Sequence, residues 1–211
     1  MNGLESPRVV AIVPVSTLEG AKSRLGETLD AEERRDLVTR MIRRTVEAVV
    51  ATPGIAETIV VTPDDEVRGL ALTAGARPLR QQSQGLNRGL RQARDEAVAG
   101  GAEAILVLPI DLPMVSPSAI AAVLAPLEGA GRPLVVAVSD RHRRGTNALL
   151  VAPPDAIEFA FGGDSRAAHA ACAEEVGARF VELDGPLTLD LDTPDDLLLF
   201  QEAVPGAVDG H

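Results

Sequence analysis

In "RVVAIVPV", residues 8–15, everything after Arg8 is a continuous apolar run rich in β-branched side chains. A strand with one wet face alternates apolar and polar residues. A run without a polar position reads as a strand covered on both faces, as in the middle of a parallel sheet. "TIVVT" (58–62), "AILVL" (104–108), "PLVVAV" (133–138) and "ALLVA" (148–152) read the same way. The segments between them read as helices. One starts at Asp30, with Glu33 three positions on, the pattern of a capping box. It continues through "LVTRMIRRTVEAVVA" (37–51), where apolar residues recur at helical spacing. "LNRGLRQARDEAVAG" (86–100) and "SPSAIAAVLAPL" (116–127) are two more, the second with Ser116 as N-cap and Pro117 as the first helical residue.

Strands alternating with helices predict an α/β three-layer sandwich on a mainly parallel sheet. Ligands of such sheets bind beyond the carboxyl ends of the strands. The loops that follow strands are therefore where chemistry is sought. A length of 211 residues suits one domain, 1–211, with a core over about 8–203 and a frayed tail, "VPGAVDGH" (204–211).

Charge and composition exclude some classes. The formal net charge is −11, whereas a nucleic-acid partner asks for a basic surface. Aromatic residues are 2% of the chain, with no Trp and no Tyr, so a platform for stacking bases is missing. The single cysteine, Cys172, permits no internal disulfide and no cysteine cluster for zinc. The N-terminus lacks a basic leader region, and no apolar run approaches the ~20 residues that span a bilayer. A cytoplasmic protein with neither a membrane nor a nucleic acid as partner is expected.

Carboxylates and cations then stand out in the loops. "PVSTLEGAKSRL" (14–25) follows the first strand and places Lys22 and Arg24 inside an acidic protein. They read as a phosphate clamp, a point charge and a fork, or as a solvated surface pair. Ala21 before Lys22 rules out a Walker A loop. In "LVLPIDLPMVSP" (106–117), Asp111 lies between two prolines at a strand's carboxyl end. It would hold a divalent cation on a triphosphate or satisfy turn amides. "LTLDLDTPDDL" (187–197) puts Asp190 and Asp192 on one face of an extended segment, a costly arrangement unless a cation sits between them. Thr193, Pro194, Asp195 and Asp196 read instead as a helix start with acids in its first turn. The alternative leaves Asp190 exposed and Asp192 as the cap.

Anion sites are sought in "RHRRGTNALL" (141–150), with four cation-capable side chains, and in "FGGDSRAAHAA" (161–171), where two glycines and Ser165 precede a helical run. Simple N-capping by Ser165 is the plainer reading. In "QGLNRGL" (84–90), a turn into a helix, the Asn87 amide is a candidate reader of a base edge. His169 and Cys172, three apart on a helix, read as packing, and His142 as a loop side chain.

In order, "AKSRL", "GLN", "DLP", "GTNAL", "FGGDS" and "LDLDTPDDL" resemble the motifs of the guanylyltransferases that activate a phosphorylated three-carbon acid for coenzyme F(420) biosynthesis. The acid in that family is phosphoenolpyruvate or 2-phospho-L-lactate. The resemblance runs from about residue 8 to about residue 203. It implies a nucleotide-diphospho-sugar transferase-like (Rossmann-like) fold, and more distantly the chain is similar to molybdenum-cofactor and sugar nucleotidyltransferases. It implies that Thr146, Gly162 and Ser165 bind the acid, and that Asp111, Asp190 and Asp192 hold Mg2+. It further implies that Lys22 and Arg24 lie near the phosphates and that Gly85 and Asn87 contact the nucleotide. The implied partners are GTP and the phosphorylated acid, and a homodimer is a candidate assembly. The family usually has Lys after Pro-Val in the first loop, where this chain has Ser16. Two other classes stay open: a nucleotidyltransferase with a molybdopterin or sugar-phosphate acceptor, and a non-catalytic GTP-binding protein.

Overall fold

A computed structural model describes residues 7–18, 30–129, 131–191 and 196. Its strands are β1 (Val9–Pro14), β2 (Ile55–Thr62), β3 (Arg77–Arg80), β4 (Ala104–Val107), β5 (Leu134–Ser139), β6 (Thr146–Ala152) and β7 (Arg179–Leu183). Between them lie α1 (Ala31–Val50), α2 (Asp65–Thr73), α3 (Leu86–Ala99), α4 (Pro117–Leu124) and α5 (Ser165–Glu175). The strands form one seven-stranded sheet in the order β3-β2-β1-β4-β6-β5-β7.

All neighbours pair parallel except β6, which runs antiparallel to both β4 and β5. The expected sandwich on a mainly parallel sheet is what the chain forms. One reading is refined. "ALLVA" is a strand buried on both faces, as its apolar run implied, but it runs backwards. Continuous apolarity reports cover on two faces and says nothing of direction.

Alternate residues of each strand supply the two cores. Val9, Ala11 and Val13 of β1 pack with Val38, Ile42 and Val46 of α1, Val67 of α2 and Ile120 of α4. Val10 and Ile12 pack on the other face with Leu90 and Ala93 of α3 and Ala173 of α5. Helices therefore cover both faces, and each strand of the sheet's middle has no wet side.

The helix starts follow local chemistry. The Asp30 side chain accepts from the amides of Glu32 and Glu33, and Glu33 accepts from the Asp30 amide at 2.9 Å, closing the capping box of α1. Ser116 caps α4 through the Ala119 amide at 3.2 Å, with Pro117 at the first helical position. Among the described residues no helix is long and apolar enough to cross a membrane.

Reversal of β6 fixes the geometry of the site. The other strands present their carboxyl ends at one edge of the sheet, and β6 presents its first residues there. Thr146 and Asn147 thus join the loops that follow β1, β4 and β7.

Candidate functional site

Two acidic loops meet at that edge. The Leu191 amide donates to the Asp111 carbonyl oxygen at 2.9 Å, so the chain after β7 lies against the loop after β4. The buried Asn147 reinforces the junction: its Nδ2 donates to the carbonyls of Leu187 at 3.0 Å and Thr188 at 3.2 Å. The backbone segments that carry Asp111 and Asp190 adjoin in this way, and both residues are half-buried. Asp192, Lys22 and Arg24 lie outside the described residues, as do Thr193, Pro194 and Asp195. Among the described residues no three His, Cys, Asp or Glu side chains form a metal-binding group. Carboxylates from two adjoining loops are nonetheless the hard oxygen donors that a magnesium ion prefers.

The arginine-rich turn between β5 and β6 is a different object from the anion site expected of it. Arg141 pairs with Asp196 at 2.6 Å, and Asp196 is buried. Asp196 is thus a partner in an ion pair rather than a solvated first-turn acid. Arg143 donates to Asp184 at 2.9 and 3.2 Å, and Arg144 to Asp164 at 3.1 Å. The Asp140 carboxylate accepts from the amides of Arg144 and Gly145 at 2.8 and 2.9 Å. Three arginines are therefore committed to the protein's own carboxylates, while His142 is exposed. A further pair ties α5 to β7: Arg166 grips Glu182 at 2.7 Å through two bonds, and Ser139 donates to the same carboxylate at 3.0 Å. The Arg166 hydrogen bond holds the Glu182 carboxyl below its usual range.

Ser165 is not the N-cap of α5. That position belongs to Asp164, whose side chain makes no capping bond, and Ser165 is the buried first helical residue. The start of α5 is consequently free of a side-chain cap. Gly162 and Gly163 just before it are exposed, neither has a positive φ, and a Cβ on either would meet no atom within 4 Å. Nothing among the described residues asks for glycine there. Gly85 differs: its φ of +104° supplies a local reason for the residue at the start of α3.

Residues 153–164 return from the far end of β6 to the start of α5 as a strap along α3. Arg94, buried on α3, donates from Nη1 to the Ile157 carbonyl at 3.3 Å and from Nη2 to Glu158 at 3.0 Å. Its guanidinium sits 5.3 Å from the centroid of the Phe159 ring. Two turns earlier, Asn87 donates to the Phe161 carbonyl at 2.9 Å and accepts from the Phe161 amide at 3.0 Å. One donor and one acceptor of the Asn87 amide are therefore engaged with the strap.

His169, read from sequence as packing, is fully buried and hydrogen-bonded at both ring nitrogens. The Ala160 amide donates to Nε2 at 3.0 Å, and Nδ1 lies 3.1 Å from Thr146 Oγ1. The available signal was its position four residues after Ser165, on the same face of α5. Arg94 and Asn147 also went unassigned, because one buried Arg or Asn in a chain does not announce its partner.

Burial pushes the His169 imidazole down to about 4 from 6.5. The ring touches the Thr146 hydroxyl, the Ala160 amide and the edge of Phe161, none of which is charged. The unfolded chain takes up a proton near 6.5 and the folded chain near 4, so the unfolded state binds more protons between those values. Stability contributed by the neutral ring is full above pH 6.5 and drains as pH falls toward 4, by about 3 kcal/mol. Chemical denaturation at pH 7 and pH 4.5 should show a larger loss for the wild type than for His169→Gln. Equal losses would mean the ring is not held neutral.

Comparison with known proteins gives concordant matches. The family model described as "Guanylyl transferase CofC like" matches residues 9–201. A phosphoenolpyruvate guanylyltransferase of Rubrobacter xylanophilus is 44% identical over 190 residues, covering 90% of this chain and 91% of that protein. One from Sphaerobacter thermophilus is 43% identical over 189 residues, covering 89% and 90%. Among solved structures, a candidate nucleotide-diphospho-sugar transferase from Desulfovibrio desulfuricans G20 has a TM-score of 0.76 at 15% identity, covering 95% of this chain and 89% of that one. A nucleotidyl transferase from Methanothermobacter has a TM-score of 0.65 at 23% identity, covering 93% and 97%. These structures share the fold.

Proposed function

The chain belongs to the family of CofC-like guanylyl transferases, and from that premise we propose that it transfers GMP from GTP to the phosphate of phosphoenolpyruvate, in coenzyme F(420) biosynthesis. The curated relatives at 44% and 43% identity carry that activity in their names, which favours phosphoenolpyruvate over 2-phospho-L-lactate. The observation that carries the reading is the reversal of β6, which sets Thr146 at the edge where the Asp111 and Asp190 loops meet.

The reaction asks little covalent chemistry of the protein. The acid's phosphate is ionised at neutral pH, so one of its oxygens attacks the α-phosphorus of GTP. A new P–O–P bond forms as the bond to the β-phosphate oxygen breaks, and pyrophosphate leaves. Rate then comes from alignment and from offsetting the repulsion between phosphates. Asp111, Asp190 and Asp192 would hold magnesium, which when bound neutralises phosphate charge. Thr146 and Ser165 would donate to the acid's phosphate; the first two amides of α5 are already taken by the Gly162 and Arg144 carbonyls at 3.3 and 3.0 Å, so the hydroxyls rather than those amides would hold it. The absence of an internal reason for Gly162 supports close approach of a ligand to its backbone. Lys22 and Arg24 would steady the triphosphate, and Gly85 and Asn87 would contact the nucleoside.

Pyrophosphate release is the test, measured with GTP and magnesium against phosphoenolpyruvate, 2-phospho-L-lactate and 3-phosphoglycerate. Strong release with phosphoenolpyruvate is expected. Strong release with 2-phospho-L-lactate instead would change the acceptor. Silence across the panel from folded protein that binds GTP would favour a non-catalytic reading, for which the exposed Ser16 at the end of β1 is the observation.

A further inference from the structure

The His169 ring has one arrangement of protons that satisfies its neighbours. A backbone amide can donate and cannot accept, so the Ala160 N–H at 3.0 Å requires a bare Nε2. A neutral imidazole then carries its proton on Nδ1, and Nδ1 donates to Thr146 Oγ1 at 3.1 Å. With Oγ1 already accepting, the Thr146 hydroxyl proton is turned away from the ring. His169 is the hydrogen-bond partner of that hydroxyl among the described residues.

The ring is fixed from three sides. It is fully buried. The edge-on Phe161 ring stands 4.9 Å from it, centroid to centroid. Phe161 is itself held through its backbone by Asn87 at 2.9 and 3.0 Å, and Ala160 is the residue before it. A rotation of the imidazole would break the Ala160 bond and bury a bare donor.

We infer that His169 is a positioning residue, locked as the Nδ1–H tautomer by the strap, that aims the Thr146 hydroxyl proton at the acceptor's phosphate. This rests on the assignment of Thr146 to the acceptor side of the proposed reaction. A chain of contacts thereby runs from Asn87 through the strap and His169 to Thr146, which ties the first turn of α3 to the acceptor's donor.

Nitrogen NMR of the wild-type ring at pH 7 should find Nδ1 protonated and Nε2 bare; the reverse pattern overturns the inference without reference to activity. Kinetics supply the second arm. The acceptor KM should rise about tenfold in Thr146→Val and in His169→Gln, whose amide oxygen can still accept from Ala160 but leaves Oγ1 without a donor. The KM for GTP should stay within about twofold in both, and the double variant should add little to either single one. His169→Asn, whose amide nitrogen stands where Nδ1 did, should recover most of the loss. A raised acceptor KM in Thr146→Val with none in His169→Gln would overturn the positioning role alone. An unchanged acceptor KM in Thr146→Val would remove Thr146 from the acceptor site, and this inference with it.

Discussion

Asp190→Asn should lower kcat by roughly two to three orders of magnitude while the protein melts near the wild-type temperature. The swap keeps the size and shape of the side chain and removes one negative charge. The backbone that brings Asp190 to the site is held by other groups: the Leu191 amide on Asp111 at 2.9 Å, and Asn147 on Leu187 and Thr188 at 3.0 and 3.2 Å. None of those bonds needs the Asp190 carboxylate. On the proposed role of Asp190 in holding a cation, loss of that charge should fall mainly on rate. Pyrophosphate release alongside a thermal melt reads both quantities. Full activity in this variant would remove Asp190 from the cation site. A collapse of the melt would assign it to the fold instead.

Arg94→Ala has the largest expected effect on stability, a loss of about 3 kcal/mol. The substitution leaves the Ile157 carbonyl without its donor at 3.3 Å, frees Glu158 and uncovers the Phe159 ring. Glu158 is largely exposed, so its pairing adds little, and most of the loss comes from the carbonyl and from packing. For a chain of this size the melting temperature should fall by roughly 6–12 °C. Arg94→Lys keeps the stem and the charge but not the fork, and should fall between. The strap also carries Ala160 and Phe161, so Arg94→Ala should raise the acceptor KM as well. A melt within about 2 °C of wild type would show that the strap is held by other contacts.

The central strands and the long helices were legible because each has a local cause. An apolar run such as "VVAIVP" cannot sit at a surface, and Asp30 with Glu33 closes its box within one turn. The edge strands β3 and β7 were not. "RPLR" and "RFVEL" each carry two charged residues because one side of each faces water, and four or five residues give no clear period. The "TNALLVA" strand was visible, but its direction was not, since direction depends on which neighbours it meets.

The site divides the same way. Asp111 stood out as a candidate because a carboxylate between two prolines at a strand's carboxyl end is conspicuous, whereas Thr146 and Gly162 were named through the family resemblance. The role of "RHRRG" was misjudged because its acidic partners, Asp164, Asp184 and Asp196, lie 20 to 55 residues further along the chain. His169 looked like filler because a buried hydrogen bond to a strand 23 residues earlier has no spacing rule.

The reversed β6 also bears on the order in which the chain assembles. β5 and β6 pair in one register from Leu134–Ala152 to Val138–Ala148, slip by one residue to Ser139–Thr146, and are joined by a turn of six residues, 140–145. Closing that turn costs little entropy, whereas β1 must wait for β4 to arrive from residue 104. The β5–β6 ribbon is thus the element best placed to form first. It already carries Thr146 and Asn147 at its tip, so the acceptor's donor and the anchor for Asp190's segment would be in place before the two acidic loops meet. A Leu or Val truncation in this ribbon should slow folding, while a truncation in β1 should chiefly speed unfolding.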